Sequence, residues 1–174
     1  MKSIKTFFRD SFTGGSNPEV SIVMPSFNQA DFIEKSITSV LEQNVANLEL
    51  IVMDGGSTDG TLQVLEKLSV HSNGRLHWCS EADHGAAHAL NKAFTLSRAP
   101  VIGWLNSDDL YAPDAIEKAV LFFKEQTEIL MVYGQGQHID KFDRELKEYP
   151  TLLPTTEIES FKDGCFICQP TVFM

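Results

Sequence analysis

Two adjacent carboxylates, Asp108 and Asp109, follow the apolar run Val101-Ile102-Gly103-Trp104-Leu105 and the polar step Asn106-Ser107. Neighbouring carboxylates repel one another, so the pair is costly unless water or a cation neutralises it. Oxygen-only ligands suit a hard divalent ion, Mg²⁺ or Mn²⁺, usually shared with phosphate oxygens. A solvated acidic turn or a helix N-cap would use the same residues, since aspartate is common at both. A second apolar run, Leu48 to Met53, ends in Asp54-Gly55-Gly56-Ser57-Thr58-Asp59-Gly60, and a third, Val20 to Met24, ends in Pro25-Ser26-Phe27-Asn28. Further on, Glu81 and Asp83 precede Gly85, and small residues then open a helical pattern that contains Leu90, Asn91, Lys92 and Phe94. Small side chains at a helix start let a ligand approach the free N–H groups, which favour phosphate. Lys92 could reach an anionic ligand or be simply solvated. His84 and His88 have helical metal spacing without an evident third ligand, so His84 is expected to line the cleft instead.

These residues need elements to hold them. Each apolar run reads as a buried strand, and each is followed by a helical pattern. In the first helix Phe32, Ile33, Ile37, Val40 and Leu41 share a face, with Asn28 as a plausible N-cap and Asp31 favouring the positive helix end. In the second, Leu62, Leu65 and Leu68 mark the buried stripe, with Ser57 or Thr58 as cap. Strand, loop and helix repeated in this way predict a mainly parallel α/β sheet. Right-handed crossovers then bring the loop tips to one edge, so Asp54 and Asp108 can face one crevice. Arg75 to Ser80 and Ile129 to Tyr133 read as further strands. Residues 140–148 look charged and solvated, and Ile158 and Phe161 suggest a short helix.

At 174 residues and 43% hydrophobic content, the chain can bury the core of a single domain. Residues 1–18 read as a flexible lead-in whose Phe7, Phe8 and Phe12 could pack on a partner or membrane surface, and 19–174 as the domain. No apolar stretch reaches membrane-spanning length and no signal-peptide core is evident. A formal charge of −10 argues against a nucleic-acid partner and means that an anionic substrate needs local help. A soluble cytoplasmic protein is expected, with room for peripheral association at the inner face of a membrane and for a homodimer. Cys165 and Cys168 have metal-knuckle spacing, and His77 with Cys79 could complete a zinc set. Burial of these thiols as small hydrophobes is the better expectation.

Taken in order, Val20 to Asn28, Leu48 to Thr61, Glu81 to Lys92, Trp104 to Asp109 and Tyr111-Ala112-Pro113-Asp114 resemble the glycosyltransferases of family 2. The resemblance implies the GT-A fold: a Rossmann-like, mainly parallel central sheet with helices on both faces, a three-layer sandwich. It also implies inverting transfer of a sugar from a nucleotide-sugar donor, commonly a UDP-sugar, to a glycan or lipid-linked acceptor.

On that resemblance, Pro25, Ser26, Phe27 and Asn28 would line the nucleoside pocket, with Asp54 at the base edge and Ser57 adding a polar contact. Asp83, Gly85 and Lys92 belong to the donor-side segment. Asn106 takes the place where many relatives carry the first Asp of Asp-x-Asp, and Ser107 follows it. Asp108 would hold Mn²⁺ or Mg²⁺ against the diphosphate, and Asp109 would be its supporting partner or the cap of the helix near Pro113. An inverting enzyme needs a general base. Several relatives supply a carboxylate in the segment matching 164–172, where this chain has none, which leaves Asp163 by proximity or a base beyond Met174. The acceptor region therefore reads as incomplete, and the alternative is a nucleotide-sugar-binding module without turnover. A sugar-1-phosphate nucleotidyltransferase would want a glycine- and lysine- or arginine-rich loop after the first strand, which Pro25 to Gln29 lacks.

Overall fold

The computed structural model describes residues 17–153, 159, 162 and 164–174. Strands β1 (Val20–Ser26), β2 (Leu48–Asp54), β3 (Leu76–Ser80) and β4 (Val101–Trp104) form one parallel sheet in the order β3-β2-β1-β4. Helices α1 (Ile33–Leu41), α2 (Thr61–His71) and α3 (Ala86–Leu96) connect successive strands, and α4 (Ala115–Glu125) follows β4.

Every residue of β1 and β2 is buried, which is why their sequences read as apolar runs rather than alternating ones. Ile22, Met24, Leu50 and Val52 pack on Ile33 and Ile37 of α1, Leu65 of α2 and Ile116 of α4. Val23, Ile51 and Met53 point the other way, onto Ala89, Leu90, Ala93 and Leu96 of α3. Helices therefore cover both faces, and the expected three-layer α/β architecture is the observed one. Each such fully buried aliphatic side chain contributes about 1.5–3 kcal/mol. Of the two acids in β2, Glu49 is compensated where it lies, beside the start of the strand. Arg98 donates to it from Nε at 3.0 Å and Nη2 at 2.7 Å, and Ser21 Oγ adds a hydrogen bond.

Register aligns the strand ends. Ser26 lies opposite Asp54, and Asp54 opposite Ser80. β4 is shorter, with Trp104 level with Val23, and the chain leaves the sheet through Leu105, whose N–H donates to the Val23 carbonyl at 3.1 Å.

One expectation changes. Ile129 to Tyr133 is not a strand: among the described residues only Val132 of this segment pairs in a β-bridge, to Phe173, and Ile129, Leu130 and Met131 are exposed. Residues 140–148 are solvated, as expected, and carry part of a hairpin. β5 (Gln137–Ile139) and β6 (Glu145–Glu148) form an antiparallel hairpin, and β6 is exposed throughout. The C-terminal run docks on β4, where Ile102 and Met174 exchange backbone hydrogen bonds at 2.7 and 3.0 Å. The lead-in phenylalanines, Ile158 and Phe161 lie outside the described residues. Among those described, no helix is long and apolar enough to cross a membrane.

Candidate functional site

The loops after β1 and β2 are laced together. The Asn28 N–H donates to Ser57 Oγ at 2.7 Å, and the Thr58 N–H donates to Asn28 Oδ1 at 2.9 Å. Gln29 and Ala30 N–H groups donate to Thr61 Oγ1 and Asp59 Oδ2 at 2.9 and 3.0 Å. Asn28 reaches this position with φ of 52°, a left-handed conformation that asparagine tolerates better than most residues. The side chains expected to cap helices are thus spent between loops. The N-cap positions are Phe32 for α1 and Gly60 for α2, neither making a side-chain cap.

Asp54 anchors the same region. Its Oδ2 accepts from the N–H groups of Gly56 and Ser57 at 3.0 and 2.8 Å and from Ser80 Oγ at 2.6 Å, while Ser57 Oγ donates to Oδ1. The carboxylate is 1% exposed.

The end of β4 is built otherwise. Asp108 is exposed and takes no hydrogen bond from any described residue. Asp109 turns inward, where its Oδ2 accepts from Asn106 Nδ2 at 3.0 Å. Burial raises the Asp109 carboxyl above its ordinary value; the Asn106 hydrogen bond opposes that rise and the neighbouring Asp108 charge adds to it. Asp109 is a supporting residue of the turn and not a helix cap, since α4 starts after Asp114, itself left-handed at φ of 61°. Ser36 Oγ of α1 donates to the Ser107 carbonyl at 2.9 Å and pins the turn from below.

Between these strand ends lies a cleft of about 650 Å³. Of the residues singled out in the sequence, Pro25, Ser26, Phe27, Asp83, Gly85, Asn106, Ser107 and Asp108 line it. Gln29, Gly55, Ala82, Ala86 and Ala89 also line it, and nothing but their neighbours' chemistry marks them in the sequence. Asn28, Asp54 and Ser57 are outside the lining: Asp54 and Ser57 are buried, and Asn28, exposed, ties the two loops together. Lys92 does not face the cleft: it forms an ion pair with Glu81. His84 is also outside the lining, its ring stacked on His88 at 5.1 Å. Asp163 lies outside the described residues.

Two features of the cleft suit a polar, anionic occupant. Ser26 Oγ is buried with no hydrogen-bond partner among the described residues, although Ser26 lines the cavity. At the opposite wall Gly85, at φ of 100°, opens α3 without a side-chain cap, so backbone N–H groups of that helix end are presented beside Ala86. For a metal, the described residues bring no three His, Cys, Asp or Glu side chains together. The single exposed carboxylate of Asp108 fits a hard ion that takes its remaining ligands from phosphate and water. Asp108 also walls a second cavity of about 200 Å³, with Phe32, Lys35, Leu110 and Lys141 among its lining.

The model of the family described as "Glycosyl transferase family 2" matches residues 21–174. A chondroitin synthase of Pasteurella multocida is 36% identical over 123 residues, which is 71% of this chain and 13% of that protein. The putative teichuronic acid biosynthesis glycosyltransferase TuaG of Bacillus subtilis is 35% identical over 132 residues, 72% of this chain and 52% of its own length. Among solved structures, the mannosyltransferase PcManGT of Pyrobaculum calidifontis in complex with GDP-Man and Mn²⁺ superposes with a TM-score of 0.61 at 25% identity, over 72% of this chain and 40% of that one. S. aureus TarS 1-349 in complex with UDP gives a TM-score of 0.66 at 20% identity over 89% of this chain and 46% of that one, a likeness of fold. The chain thus spans from 13% to about half of the length of these curated relatives.

Proposed function

The chain belongs to glycosyl transferase family 2, and from that premise we propose that its cleft binds a nucleotide-sugar, a UDP-sugar in the first instance, for transfer to a glycan or lipid-linked acceptor with inversion. The observation that carries this reading is the cleft itself: it runs from Pro25, Ser26 and Phe27 to the exposed Asp108 across the carboxyl ends of parallel strands. In this reading the nucleoside lies over Pro25, Ser26 and Phe27, and the diphosphate lies between the start of α3 and Asp108. Asp108 would hold the divalent ion, Mn²⁺ or Mg²⁺, which when bound stabilises the negative charge of the departing nucleoside diphosphate. The second cavity gives an acceptor hydroxyl a place on the other flank of Asp108. Transfer breaks the bond from the anomeric carbon to the diphosphate oxygen and forms one to the acceptor oxygen, whose proton passes to a base. Asp163 is the candidate from the sequence for that base.

Calorimetry of UDP with and without Mn²⁺ tests the donor site. Binding is expected to require the ion and to weaken at least about tenfold in Asp108→Ala. Equal affinity with and without the ion, or in wild type and variant, would sink the assignment of Asp108. Tighter binding of GDP-mannose than of any UDP-sugar would move the proposal to a guanine nucleotide. Because the chain spans only part of its relatives, binding without turnover is the second reading. Release of free sugar from a bound UDP-sugar over hours would decide against it.

A further inference from the structure

Behind the Asp108 wall lies a side chain that the proposed reaction does not use: Gln169, in the 3-10 turn Gln169–Thr171. Its Nε2 donates to the Trp104 carbonyl at 2.7 Å, and Asn106 Nδ2 donates to its Oε1 at 3.0 Å. The other Nδ2 proton of Asn106 goes to Asp109 Oδ2 at 3.0 Å, and Asn106 Oδ1 accepts from the Trp104 indole Nε1 at 3.1 Å. The orientation of both amides is over-determined, because each end meets a group with a single role. An indole N–H only donates, and a backbone carbonyl or a carboxylate only accepts. With both Nδ2 protons engaged, the Asn106 side chain has nothing left to donate. It keeps one lone pair on Oδ1.

We propose that Gln169 is a positioning residue which, together with Asp109, holds Asn106 so that an amide oxygen, and no N–H, is offered to the cleft beside Asp108. This rests on the reading of the cleft as a nucleotide-sugar site. A ligand group meeting Asn106 must then be a donor, and beside Asp108 that donor is a water on the bound cation. The arrangement also accounts for asparagine at this position. An aspartate at 106 would set a carboxylate against Asp109 Oδ2 and Gln169 Oε1, acceptors with no proton to share. The added negative charge would therefore disorder the turn rather than improve a cation site.

The chain contains two tryptophans, Trp78 and Trp104, so their indole N–H signals in a ¹H–¹⁵N spectrum of the full chain report the network separately. In Gln169→Leu the Trp104 signal is expected to move and the Trp78 signal to stay. UDP affinity in Mg²⁺ should fall about 5- to 20-fold, the scale of one or two lost hydrogen bonds, while affinity in EDTA changes less than about twofold. Asn106→Asp should lower the Mg²⁺-dependent affinity as well. If Gln169→Leu does not fold, Gln169→Met keeps the length of the side chain, removes both amide contacts, and is read by the same signal. An unmoved Trp104 signal overturns the proposal. So does an equal loss of affinity with and without Mg²⁺, or an Asn106→Asp variant that binds Mg²⁺ and UDP more tightly than wild type. Absence of UDP binding by the unmodified chain sinks the donor-site reading instead, and the Trp104 signal then decides the role of Gln169 by itself.

Discussion

At the end of β2 the Asp54 carboxylate is 1% exposed and accepts hydrogen bonds from Gly56, Ser57 and Ser80, whereas beyond β4 the Asp108 carboxylate stands in solvent with no hydrogen bond from a described residue. Both follow a buried apolar strand, and both reach the same edge of the sheet. The difference lies in what the next residues donate. After Asp54 the chain turns tightly through Gly55, Gly56 and Ser57 and returns N–H and O–H groups to the carboxylate, with Ser80 of the adjacent strand adding another. After β4 the available donor, the Asn106 amide, is committed to Asp109 and Gln169, so Asp108 is left over. A carboxylate at a strand end becomes scaffold when its own loop satisfies it. It stays a reagent when the loop satisfies its neighbour instead.

The largest expected effect separates the two. Asp54→Ala leaves two backbone N–H groups and two hydroxyls without their acceptor in a buried place, at a cost on the order of 3 kcal/mol or more. For a chain of this size that is roughly a 6–12 °C fall in melting temperature. Asp108→Ala removes an exposed group and should stay within about 0.5 kcal/mol of wild type while losing ion-dependent UDP binding. Chemical denaturation of both variants measures the contrast. Equal destabilisation would mean that Asp108 is scaffold too.

A middle-sized effect sharpens the β4 side. Gly103 is buried beneath the site, and a Cβ there would come within 2.8 Å of Ile22 Cδ1 and Phe173 Cε1 and 2.9 Å of the Tyr111 hydroxyl. Two of those neighbours are aromatic rings that cannot fold away. Gly103→Ala should therefore cost about 1–3 kcal/mol. Because Phe173 pairs with Gly103 and lies four residues beyond Gln169, UDP binding should weaken with it. Wild-type stability in this variant would show that the C-terminal segment docks more loosely on β4 than its backbone pairing suggests.

The sequence makes the strands legible because a parallel sheet buried on both faces needs unbroken apolar runs, and Leu48 to Met53 and Val20 to Met24 supply them. Helix faces follow from spacing for the same reason of burial. The caps were misread because Asn28 and Ser57 are small polar residues whose side chains serve a facing loop as well as a helix end. Which of the two they serve depends on a contact about thirty residues away, as between Asn28 and Thr58. Gln169 meets Asn106 across 63 residues, and no local pattern announces it. Lys92 looked available because its partner Glu81 lies on the other side of a loop whose course the sequence leaves open.

The smallest effect concerns a polar atom on the β4 side that nothing holds. Tyr111 is 7% exposed, its ring stacks on Phe173 at 5.6 Å, and its hydroxyl has no hydrogen-bond partner among the described residues. Burial pushes that hydroxyl far above its ordinary ionisation range, with the Asp109 charge adding to the rise. Tyr111→Phe keeps the stacked ring and removes an unsatisfied atom, so stability near neutral pH should be unchanged or greater by up to about 1 kcal/mol. The sign of the pH effect follows from linkage. The unfolded chain ionises its tyrosine near pH 10 while the folded chain does not, so wild-type stability falls as pH rises through that value. The phenylalanine variant lacks this component and should lose less stability between about pH 9 and 11. Denaturant melts of both proteins across that range measure it. A loss above about 1 kcal/mol at neutral pH would mean that ordered water satisfies the hydroxyl, and that the β4 side is stitched by polar contacts much as the β2 side is.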